Sequence, residues 1–270
     1  METHVRERFE TLWGKYFTGQ PLPLAFAFTD DASPALVPPA KSWSCVLAQI
    51  ARALKGEDVA LASESIGCLG GKRYFGFTRE TMPDFEYFLS CGIPGKLEGE
   101  RYKKTPEIVK EIMAAQPTFE APARHLVFKR WDRLRVSDAP AAVVFFAPPD
   151  VLSGLFTLAG FDETDPHSVI APFGAGCGTI VQHPCLEATR PRPRAVLGMF
   201  DVSARPFVPA GTLSFAIPWV KFERMVGNME ESFLITSSWA RVHRRIAGAQ
   251  DQTTHVPAVA GPGHDSGSSR

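Results

Sequence analysis

The stretch "AAVVFFAPPDVLSGLFTLAGF", Ala141 to Phe161, changes period midway. Ala141 to Ala147 is an apolar run of strand length. From Pro149 the pattern becomes that of a helix, opened by a residue that the first helical turn tolerates and stopped at Gly160. "SVIAPFGAGCGTIVQ" follows, a second strand leading into Cys177 set between Gly176 and Gly178. The order is strand, helix, strand, Gly-Cys-Gly loop.

Working outward, the first part of the chain shows the same order. "PLAFAF" (Pro23 to Phe28) reads as a strand, and Trp43 to Gly56 as a helix with Cys45 in its first turn. "DVALAS" is the next strand. It delivers the chain to "SIGCLGGKRYFGF" (Ser65 to Phe77), where Gly67 and Cys68 precede the pair Gly70 and Gly71. The expected fold is therefore α/β, a mixed β-sheet with flanking helices, built as two pseudo-repeated strand-helix-strand halves at about 17–120 and 121–235. Both halves are expected inside one compact domain spanning 1–247. Coincidence is the competing explanation, since strand-helix-strand order is common.

Between the halves, Cys91 to Pro117 reads as a glycine-rich loop feeding a helix capped by Thr105 with Pro106 first inside it. Leu126 to Leu134 is expected as a joining strand, and Thr212 to Pro218 as a late strand followed by a helix from Trp219. A helix over 1–17 should open the chain and one over 238–246 should close it. The tail 248–270 lacks apolar periodicity and is expected to be disordered.

Lysines plus arginines equal aspartates plus glutamates at 29 each, so no global field favours nucleic acid or an anionic membrane. The apolar runs fall short of the roughly 20 residues a spanning helix needs. The charged start has no secretory apolar core, which points to the cytoplasm. Five scattered cysteines, Cys45, Cys68, Cys91, Cys177 and Cys185, do not suggest a secreted disulfide framework.

If the two cysteine loops fall at one end of the sheet, Cys45 could face them and three thiols would converge. Three thiolates from separate segments suit an iron-sulfur cluster with one open iron, or a soft metal ion. Gly67, Gly70, Gly71, Gly176 and Gly178 would let the cofactor approach the backbone. Cys91 and Cys185 are spare ligands, and zinc at His183 and Cys185 is the nearest competitor, although no C-x-x-C pair is present. Nucleophilic catalysis by Cys68 would need a base, and the histidines are distant in sequence. Arg73, Tyr74, Glu98, Glu100, Arg101, Tyr102 and Lys103 place charge and hydroxyls where a small anionic substrate could bind, the last five just ahead of a helix N-terminus. A solvated charged loop is the plainer alternative there. Neither a P-loop nor a dinucleotide fingerprint occurs in the chain.

Cys45, "GCLGGKRYFGF", "CGIPGKLEGERYKKTPE" and "LGMFDVSARPFV", taken in that order, resemble the ArCR family, the uncharacterised domain of unknown function numbered 169. The resemblance covers most of residues 10 to 235. The family's C-P-G-G...Y-x-G stretch corresponds to Cys68, Gly70, Gly71, Tyr74 and Gly76, with Leu69 replacing proline. A family L-G-C-S-G run is Leu197 to Asp201 here, with Met199 at the cysteine position.

The expectation is a metal- or iron-sulfur-binding protein with a redox or anaerobic catalytic role, an oxidoreductase or lyase, whose ligands are Cys45, Cys68 and Cys177. Its partners would be a small molecule and an electron-transfer protein. A metal-free small-molecule binder with structural cysteines is the alternative. Substrate and oligomeric state are not legible.

Overall fold

The computed structural model describes residues 3–31 and 35–253. In chain order the elements are α1 (Thr3–Tyr16), β1 (Leu24–Thr29), α2 (Leu47–Leu54), β2 (Val59–Leu61), α3 (Leu69–Tyr74), α4 (Phe85–Phe88) and α5 (Pro106–Ala115). They continue with β3 (His125–Arg130), β4 (Ala142–Ala147), α6 (Pro149–Ala159), β5 (Val169–Ile170), α7 (His183–Ala188), β6 (Ala195–Gly198), β7 (Leu213–Pro218), α8 (Trp219–Asn228) and α9 (Ser237–Thr253). The strands form one mixed seven-stranded sheet in the order β2-β3-β1-β4-β7-β6-β5. Only the β5–β6 pairing within it is parallel.

The apolar run Ala142–Ala147 is the centre of the sheet and is buried along its whole length. Because side chains alternate across a strand, Val143, Phe145 and Ala147 enter one core and Ala142, Val144 and Phe146 the other. The first core joins α1, α6, α8 and α9, with Trp13 and Phe222 rings 5.0 Å and 6.4 Å from Phe145. The second joins α2, Tyr74 and Phe75, and the helix carrying Cys177.

The expected duplication extends to element order but not to packing. β1 and β4 lie side by side and antiparallel. A two-fold axis relating them would stand normal to the sheet and leave α2 and α6 on the same face. Instead Leu47 and Ile50 of α2 pack in one core and Val151 and Leu155 of α6 in the other. Moreover, one strand separates β2 from β1, whereas two separate β5 from β4.

Both cysteine-glycine stretches are helix starts rather than loops. Cys68 is extended and caps α3, its Sγ accepting the Gly71 N–H at 3.2 Å. Neither Gly70 nor Gly71 has a positive φ. What Gly71 supplies is room, since a Cβ there would stand 2.8 Å from Cys68 Sγ and 3.0 Å from carbons of Ile66 and Val46. Likewise Gly176 opens a helical run that continues into α7 through a π-helical segment, Gly178–Gln182. Cys45 lies just ahead of α2 instead of in its first turn. At the C-terminus α9 runs to Thr253, so 248–253 of the expected tail is helical and 254–270 lies outside the described residues. No helix among the described residues is long and apolar enough to cross a membrane.

Candidate thiol site

Three helix starts carry the site. The Cys45 carbonyl accepts the Ala48 N–H at 3.1 Å as the chain enters α2. Gly67 packs against the backbone of Ser42 to Ser44, with Ser44 N 2.9 Å from where a Cβ would be, and so brings Cys68 to the Cys45 segment. Cys177 occupies the first turn of the helix that Gly176 opens. Thus Cys68 Sγ receives a backbone N–H, and the Leu47 and Gly178 amides interact with the sulfurs of Cys45 and Cys177.

Electrostatics tie the three together. Burial pushes the Cys177 thiol well up, and negative charge on Cys68, Cys45 and Asp201 adds to the rise, opposed by the Gly178 amide. Cys45 is raised chiefly by burial, against the Leu47 amide, with Cys68 and Asp201 adding again. Tyr74 is pushed up to about 12 by burial and then by Cys177, while Arg73 opposes the shift. Its ring covers Gly178, whose missing Cβ would lie 3.1 Å from Cδ1. The three predicted cysteines, Tyr74, Gly67, Gly71, Gly176 and Gly178 therefore meet in one region. Gly70 faces open space, and the Arg73 guanidinium donates to the Arg79 carbonyl.

Asp201 is the residue that sequence reasoning missed. Its Oδ2 accepts the Gly176 N–H at 3.2 Å, and its Oδ1 accepts Ser203 N–H at 3.2 Å and Ser203 Oγ–H at 2.8 Å. The Asp-x-Ser spacing before a helical turn is the signal that could have found it. Beside it, buried Met199 holds φ +65°, a region that costs a non-glycine residue about 1–2 kcal/mol. A Cβ on Gly176 would stand 2.6 Å from its Sδ.

The loop 98–103 meets the site from outside. Tyr102 Oη accepts the Ser203 N–H at 3.0 Å, sharing that donor with Asp201, and the Lys103 ammonium stands 3.7 Å from the Phe173 ring centroid. Glu100, Arg101 and Lys103 N–H groups donate to carbonyls of Phe88, Ser90 and Leu89, and Glu98 backs onto Gly92.

Other candidates stand apart. Cys91 is exposed, and burial alone pushes Cys185 up to about 12. His183 and Cys185 are two residues apart in α7, a spacing that turns side chains to different faces of a helix. Among the described residues, no three His, Cys, Asp or Glu side chains form a group that could hold a metal ion as they stand. A cleft of about 1140 Å³ lies toward the C-terminal end of α2, where Leu54, Lys55, Phe146 and Phe207 line it and no thiol does.

Residues 18–228 match the family described as DUF169, uncharacterised ArCR. No curated protein and no solved structure matches the chain.

Proposed function

We propose, for a chain that belongs to the ArCR (DUF169) family, that Cys45, Cys68 and Cys177 hold an iron-sulfur cluster serving a redox or catalytic role in the cytoplasm. The observation that carries this reading is three thiols reaching one region from three helix starts, each with a backbone amide acting on its sulfur. Amide donors favour a thiolate, and a cationic iron centre would oppose the burial penalty that raises Cys45 and Cys177.

A cluster asks less close an approach of the three sulfurs than one ion does. With metal-sulfur bonds near 2.3 Å, three sulfurs on a single tetrahedral ion lie within about 4 Å of one another. These thiols form no such group, yet Cys177 feels charge on Cys68 and Cys45, and Cys45 feels charge on Cys68. In a cluster every thiolate binds its own iron, so the three sulfurs need to reach one region and not one ion. When bound, such a cluster supplies electron transfer or a Lewis-acidic iron, and an electron-transfer protein would be the partner in the redox case.

The chain's own residues have separate tasks. Tyr74 keeps its proton at neutral pH and can donate it in a hydrogen bond. Asp201 fixes the start of the Cys177 helix, Tyr102 holds the Ser203 turn, and Lys103 offers a charge to an anionic substrate. Protein prepared anaerobically with iron should be brown, with charge-transfer absorption that Cys68→Ala abolishes. Colourless, iron-free protein from that preparation would leave the second reading, a metal-free binder. Burial of neutral Cys45 and Cys177 thiols is the observation that favours it.

A further inference from the structure

Four of the large apolar side chains left at the surface lie on the segments that carry or adjoin the thiol site. Trp43 is 73% exposed two residues before Cys45, and Phe173 is 48% exposed four residues before Cys177. Phe200 and Val202, 54% and 68% exposed, stand on either side of Asp201. Scattered exposed hydrophobes need no explanation, but several gathered about one site mark a binding surface. The packing that brings these segments together is already described: Gly67 against Ser42 to Ser44, Asp201 on the Gly176 amide, and Tyr102 on the Ser203 amide. Lys103 supplies a cation there, its ammonium held over one face of the Phe173 ring.

We infer that this rim binds an aromatic carboxylate, its ring against the Phe173 face away from Lys103 and the neighbouring apolar side chains, and its carboxylate on Lys103. The inference rests on reading the thiol region as a substrate site, and it narrows the anionic substrate to one with an apolar, planar body. A small hydrophilic anion would leave these four side chains in water and use only the charge. Aromatic faces also favour a flat ring over an aliphatic chain, through offset stacking.

The test uses the full chain without iron and 2-naphthoate as the probe, followed by isothermal titration calorimetry. Saturable binding is expected, weakened about tenfold or more by Phe173→Ala and by Lys103→Met, and weakened similarly when naphthalene-2-carboxamide replaces the carboxylate. Trp43→Ala should weaken binding of both probes. Absence of saturable binding at millimolar probe overturns the inference, as does equal affinity for carboxylate and carboxamide or binding that the Phe173 and Lys103 variants leave unchanged. Colourless protein that still binds would remove the cluster and leave the rim intact, whereas brown protein that does not bind would do the reverse.

Discussion

The Gly176 N–H donates to Asp201 Oδ2, and through that bond one carboxylate spans two segments that are far apart in sequence and both part of the thiol site. Asp201 also accepts two bonds from Ser203. Asp201→Ala strands backbone donors at a partly buried place, so a loss of about 1–3 kcal/mol is expected in urea unfolding. Asp201→Asn should recover part of it, because an amide oxygen still accepts.

Gly70 and Gly71 are adjacent in α3 and should respond oppositely to alanine. Gly70 faces open space in a helical turn, so Gly70→Ala should stabilise by about 0.5–1 kcal/mol. Gly71→Ala drives a methyl into Cys68 Sγ, Ile66 and Val46, and should destabilise by about 1–3 kcal/mol. Thermal melts of the two variants check the contrast, and equal shifts would contradict it.

Lys221 and Glu163 form a pair at 2.6 Å with side chains only 1% and 3% exposed, and Arg224 also reaches Glu163. Glu163→Gln leaves a buried ammonium without its counter-charge and should cost about 3–5 kcal/mol. Replacing both, Glu163→Leu with Lys221→Met, should cost much less, since the desolvation of both charges goes with them. A double-mutant cycle in urea measures the difference.

Alkaline pH should weaken the fold. Burial raises Tyr74 and Cys185 to about 12, above their ordinary values of 10.0 and 9.0. The unfolded chain therefore loses these protons at lower pH than the folded one. Their contribution is complete below about pH 9 and lost as pH climbs toward 12. Melting temperature should fall across that window, and Tyr74→Phe should flatten the upper part of the fall.

Periodicity made β4, α6 and α8 legible, and the cap made α5 so: Pro106 after Thr105 is a start signal that local sterics enforce. The layer into which each helix packs was not legible, because strand-helix-strand order is the same whichever face the helix takes. α3 was hidden for another reason. Two glycines in six residues read as a loop, and only the neighbours of Gly71 show that the helix needs the space. β6, four residues long, is too short for alternation to reveal. The meeting of Cys45, Cys68 and Cys177 was anticipated by supposing a symmetry that the packing lacks. Asp201 was overlooked because an aspartate in a polar turn has no period.

The ends of the sheet bear on how copies of the chain could meet. Its outermost strands are minimal, with three residues in β2 and two in β5. The outer side of β2 is further occupied by the Ala35 to Val37 backbone, which exchanges hydrogen bonds with Ala60. Margins this short, one of them covered, give another polypeptide little to extend by strand addition. Self-association, where it occurs, is thereby directed to side-chain surfaces, and amyloid-like growth from the native sheet is disfavoured by its construction.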